Sequence, residues 1–209
     1  MGAVSIYKSF PESDETRIAR GYMKLLLLQH LQADFNSLTE YLYNDRYDQY
    51  DFTKRYAAEI KIKAALEITG RNHLLYNKLR AAELFLYTCN AFPEIQKGVS
   101  LSSRIQEQLQ TGIDSLKNAV KLDPLAPFLH LQLGNFYLYT GQFEASIESY
   151  LTYTRLLPND EYTYNRLGMA YYLSGNFTRA SEMFKKSLRI NPNFSDAAEN
   201  LRISQKKAG

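Results

Sequence analysis

Three prolines, Pro124, Pro158 and Pro192, stand 34 residues apart. Gly134 and Gly168 keep the same spacing, as do Gly141 and Gly175. Sliding 127–160 onto 161–194 gives nine identities in 34 positions, where about two are expected from average residue usage. They are Leu133/Leu167, Gly134/Gly168, Tyr137/Tyr171, Gly141/Gly175, Phe143/Phe177, Glu148/Glu182, Arg155/Arg189, Pro158/Pro192 and Asn159/Asn193. No other feature limits the fold as strongly. Each copy must form the same small unit, and copies must stack to bury their apolar faces.

The residues say what the unit is. Each copy holds two helical stretches, 127–140 with 143–156 and 161–174 with 177–190. Gly141 and Gly175 supply the positive φ that ends the first helix of each pair. Pro158 and Pro192 end the second, because proline lacks a donor and clashes with the preceding turn. Leu133 with Tyr137, and Leu167 with Tyr171, lie four apart on one helical face. Gly134 and Gly168 allow close helix approach, with Ser146 and Ala180 the small residues expected opposite.

Tyr164-x2-Leu167-Gly168-x2-Tyr171, then Ala180-x3-Phe184 and Pro192, resembles a tetratricopeptide repeat with Tyr in place of the usual Trp. His130-x2-Leu133-Gly134-x2-Tyr137, then Ser146-x3-Tyr150 and Pro158, is a looser match. The resemblance covers 127–194, about a third of the chain. It implies an all-α fold, a right-handed superhelix of antiparallel helix pairs. Residues 195–209 read as a polar capping helix and tail, with Lys206 and Lys207 late in the helix.

Upstream the register is weaker. Ile113, Leu116, Ala119, Leu122 and Pro124 look like a second helix one period earlier, while 93–103 carries Pro93, Gly98 and three serines. Either 72–91 supplies the missing first helix, or 52–91 forms a pair around Gly70. Ile18, Tyr22, Leu25, Leu28, Leu31, Phe35, Leu38 and Leu42 recur every three or four residues, as one helix or one broken near 36 at the capping box Ser37-Leu38-Thr39-Glu40. The expected organisation is one continuous solenoid. It comprises a helical region over 1–92, an irregular repeat over 93–126, repeats over 127–160 and 161–194, and the cap over 195–209.

Composition narrows the function. The net charge is +3, with charges balanced along the chain, which argues against a dedicated nucleic-acid binder. The single cysteine, Cys89, excludes an intrachain disulfide and a Cys-based zinc site, and its apolar run Leu84 to Cys89 reads as core. His30, His73 and His130 have no metal-ligand spacing, and His130 reads as a packing residue. Phosphate-binding glycine loops and nucleophile elbows are absent. The Tyr/Asp segment 41–51 reads as a solvated connection, with a contact surface as the alternative. No cofactor, metal or catalytic residue is expected. Leu25 to Leu28 is far short of a membrane span. No signal peptide opens the chain, so a soluble, cytoplasmic protein is the expectation unless a signal was removed.

The resemblance implies a concave face lined by the first helices of each repeat. In the first copy it points to Phe128, Leu131, Gln132, Asn135, Leu138 and Tyr139. In the second it points to Tyr162, Asn165, Arg166, Met169, Tyr172 and Leu173. The competing reading is that the C-terminal helix or the N-terminal half covers some of them. Asn135 and Arg166 match two positions of the carboxylate-clamping type of these repeats. Leu131 and Tyr162 replace lysines that the clamp needs, so an apolar or amphipathic segment is the better ligand. The expected function is a non-enzymatic interaction module, an adaptor or scaffold whose partner is a protein or peptide. A chaperone or assembly factor for secreted or membrane-complex subunits is the alternative. A homo-oligomer is compatible with either.

Overall fold

The computed structural model describes residues 3–9, 11–27, 29, 52–71, 73–91 and 103–208. Every regular element among them is helical: α1 (Ala3–Ser9), α2 (17–27), α3 (Phe52–Thr69), α4 (Tyr76–Ala91), α5 (Ser103–Leu122), α6 (Pro127–Tyr139), α7 (Phe143–Leu156), α8 (Glu161–Leu173), α9 (Phe177–Ile190) and α10 (Ser195–Ala208). The chain divides into two compact units, Met1–Asn90 and Ala91–Gly209, where a single continuous solenoid was the expectation. The capping box at 37–40, the Tyr/Asp segment at 41–51 and the serine-rich stretch at 93–102 lie outside the described residues.

In the first unit, Gly70 at φ +67° stands in the connection from α3 to α4. Ile62, Ala65 and Ile68 on α3 and Leu79, Ala82, Phe85, Leu86 and Cys89 on α4 are buried. On α2 the apolar stripe Ile18, Tyr22 and Leu25 is exposed rather than packed.

In the second unit each helix packs on the next from α5 to α10, and α8 also touches α10. The helix ends follow the sequence signals. Gly141 (φ +74°) and Gly175 (φ +84°) occupy the left-handed region, and α7 and α9 stop two residues short of Pro158 and Pro192. Asp160 caps α8, its Oδ1 accepting from the Tyr162 N–H at 3.0 Å. Pro127 at the first turn of α6 needs no donor there.

The two helix-face glycines work differently from the expectation. A Cβ on Gly168 would lie 2.5 Å from Phe184 Cε1, and one on Gly134 would lie 2.6 Å from Tyr150 Cε1. Each glycine therefore makes room for an aromatic ring of the second helix, not for Ser146 or Ala180 as such. Ser146 still closes the contact, donating from Oγ to the Gly134 carbonyl at 2.8 Å. His130 is a packing residue as expected, buried with Nε2 2.8 Å from the Pro124 carbonyl oxygen.

Candidate interaction surface

The three first-type helices of the second unit are α6, α8 and α10. Alternating antiparallel packing leaves them parallel to one another, one per repeat position. Their surfaces differ sharply because their compositions differ.

Helix α6 is mostly apolar, and its residues Pro127–Phe136 are buried on every side. A helix that is apolar all round belongs in a core. Phe128, Leu131, Gln132 and Asn135 thus stand below the surface, where the sequence reading has them lining an open face. Gln132 is fully buried, and neither amide atom has a hydrogen-bond partner among the described residues. Asn135 Oδ1 accepts from the Tyr150 hydroxyl at 2.7 Å. Only the last turn of α6, with half-buried Leu138 and Tyr139, reaches the surface.

Tyr150 ties the repeats together. Burial pushes its hydroxyl up to about 12, and the Arg166 guanidinium nearby opposes that rise. Tyr139 is also raised by burial and eased by Arg166. Arg166, half-buried on α8, thus acts electrostatically on both the α7 hydroxyl and Tyr139 of α6. Sequence reasoning identified Asn135 and Arg166 as ligand contacts. The Tyr150 hydroxyl was the missed signal, a polar group at a core position that must find a partner.

Helix α8 is covered along its first half. Tyr162 meets the Phe194 ring at 4.7 Å between centroids. Asn165 is buried and accepts from Asn200 Nδ2 of α10 at 3.0 Å. Farther along, Met169 is 38 % and Leu173 48 % exposed. Tyr172 lies half-buried beside them, edge-on to Phe177 at 5.2 Å. Of the ten expected contact residues, Tyr139, Arg166, Met169 and Tyr172 share this open end, whereas Phe128, Leu131, Gln132, Asn135 and Asn165 are buried and Tyr162 is packed on Phe194.

Among the described residues no group of His, Cys, Asp or Glu is arranged to hold a metal ion, and no helix is long and apolar enough to cross a membrane.

Two family models of the tetratricopeptide repeat match the chain, one over residues 161–194 and one over 129–160. Both fall on the helix pairs α6–α7 and α8–α9, with their glycine–ring contacts. The chain carries two tetratricopeptide repeats (TPRs). Solved structures of similar fold include a point mutant of MamA, at TM-score 0.56 and 14 % identity over 94 % of this chain and 91 % of that one. A TPR protein from Parabacteroides merdae aligns at TM-score 0.54 and 22 % identity, over 82 % of this chain and 60 % of that one. The first TPR domain of Spaghetti (RPAP3), bound to the HSP90 peptide SRMEEVD, aligns at TM-score 0.53 and 19 % identity over 62 % and 93 %. These likenesses are of fold. No curated protein matches the chain in sequence. TPRs form protein-interaction modules, and neither matching model is that of an enzyme.

Proposed function

We propose that this protein is a non-enzymatic adaptor or scaffold that holds a peptide segment or partner protein across the open end of its first-type helices. The observation that carries the reading is on α8. Met169 and Leu173 project apolar side chains into solvent beside Tyr172, on a helix whose other faces are packed. Tyr139 and Arg166 continue the strip toward α6. Tyr and Arg are favoured at binding hot spots, and Met adapts to irregular apolar partners. The peptide-bound state of the RPAP3 domain of similar fold supports a peptide as the ligand class. The absence of lysine at positions 131 and 162 argues for a mode other than the tail clamp.

The test begins with a pull-down from the native organism and mass spectrometry of what is retained. A stable multi-protein assembly supports the scaffold, and an unfolded secretory client supports the chaperone alternative. Titration calorimetry with the captured partner then compares Tyr172→Ala and Met169→Ala with Lys117→Ala, an exposed control on α5. Each α8 substitution should cost about 1–2 kcal/mol of affinity while the melting temperature barely moves. Unchanged affinity in both, with loss in the control, moves the site to the other side of the repeats.

A further inference from the structure

We infer that α10 is a displaceable cover: it lies over the first half of the α8 contact face and can leave it without unfolding the repeats. The inference rests on the reading of α8 as the contact helix and adds how access to that face is controlled. Tyr162, Asn165, Met169 and Tyr172 recur at three- and four-residue steps, so they share one face of α8. The second half of that face is open, with Met169 exposed beside Leu173. The first half is held under α10 and the turn before it. Phe194 lies against the Tyr162 ring at 4.7 Å, and Asn200 Nδ2 donates to Asn165 Oδ1 at 3.0 Å. With α10 away, the open strip lengthens by about two turns.

The seam that holds α10 is thin. Helices α5 to α9 each bury Leu, Tyr or Phe, whereas the buried side chains of α10 are Ala197 and Ser204. Leu201 and Ile203 stay half-buried. Burial of apolar area is what fastens one helix to the next, and α10 contributes little of it. Polar contacts supply the rest. Ser181 of α9 and Ser204 of α10 bring their hydroxyls within 2.8 Å, and the Asn165–Asn200 bond joins α8. Water replaces both bonds when the helix leaves, so neither opposes opening strongly. The charge pair between Arg202 and Glu199 lies within α10 and travels with it. Pro192 and Asn193 are exposed at the turn from α9, which gives the helix a pivot. Helix α9 cannot leave α8 so easily, because Phe184 is buried against Gly168. Opening of α10 therefore takes less free energy than unfolding of the unit. A segment that occupies the whole α8 face takes the place of α10, and the cover makes binding conditional on that exchange.

Two measurements on the full chain test this. Ser181→Cys places a thiol under α10, and Ser187→Cys places one in the α8–α9 seam, both at buried serines. Alkylation with iodoacetamide in the absence of denaturant, read by peptide mass, should label position 181 at least about tenfold faster than position 187. Ser181→Cys with Ser204→Cys ties the helix down when oxidised, since the two hydroxyls already lie 2.8 Å apart, and frees it when reduced. A labelled ten-residue peptide alternating Gln with Leu, followed by fluorescence anisotropy, should bind the oxidised form about fivefold more weakly than the reduced form. Ser204→Cys alone should show no such redox dependence. Met169→Ala with Tyr172→Ala should weaken the peptide in the reduced form. Equal labelling at 181 and 187 overturns the inference, because α10 then leaves only with the whole unit. Equal peptide binding by the oxidised and reduced forms also overturns it, as does absence of binding in both. If that equal binding still depends on Met169 and Tyr172, the α8 surface stands and its cover falls. If binding differs between the forms but ignores Met169 and Tyr172, the α8 reading falls and the opening of α10 stands.

Discussion

Gly168 and Phe184 occupy one small space, and the ring leaves no room for a side chain on the glycine. Gly168→Leu should therefore destabilise by about 1–3 kcal/mol or more, as overpacking does. Gly175 has nothing within 4 Å of its would-be Cβ, only a φ of +84°, so Gly175→Ala should cost on the order of 1 kcal/mol. Thermal unfolding of the two variants checks the ranking. Tyr150 offers a second test. Its folded hydroxyl titrates near 12 against an ordinary 10, so the unfolded chain loses that proton first as pH rises. The associated stability is whole below pH 10 and lost between about 10 and 12, roughly 3 kcal/mol in all. Urea midpoints from pH 9 to 11.5 should fall more steeply for the wild type than for Tyr150→Phe. At neutral pH the same variant should cost about 1–2 kcal/mol, because Asn135 loses its donor while remaining buried.

The repeats differ at the start of their second helices. The residues before α7 and α9, Gln142 and Asn176, share nearly the same backbone, φ −87° with ψ 68° and φ −90° with ψ 75°. Asn176 Oδ1 accepts from the Arg179 N–H at 3.2 Å, whereas Gln142 makes no such cap. Gln142→Asn should raise stability by about 0.5–1 kcal/mol, and Asn176→Gln should lower it by a similar amount, both measured by urea unfolding at pH 7. The ends of these elements were legible in the sequence, since Gly141, Gly175, Pro158 and Pro192 act on the backbone at their own positions. The expectation for Gly134 and Gly168 was legible only in part. Close approach follows from glycine, but which atom approaches depends on the rotamer of a ring sixteen residues away.

At the scale of the molecule, the second unit is a line of neighbours. Helices α7, α8 and α9 each have a packed helix on both sides in the stack, while α10 closes the end and is polar outward. Hydrogen exchange should accordingly be slowest in α7–α9 and faster in α10; a slowest set in α10 would contradict the one-dimensional arrangement. The duplicated unit, the helical class and the helix ends over 127–194 can be read from the residues in order, because period, glycine φ and missing proline donors operate within a few residues. Which of the first-helix residues remain available depends on packing between helices far apart in sequence. Asn165 is covered by Asn200, Asn135 is spent on the Tyr150 hydroxyl, and Gln132 is buried without a partner. Met169, one repeat on from Asn135, and Arg166, one repeat on from Gln132, stay within reach of solvent. A residue's place on a helix is local, whereas its exposure is set by whatever chain packs against it, and period alone carries no record of that.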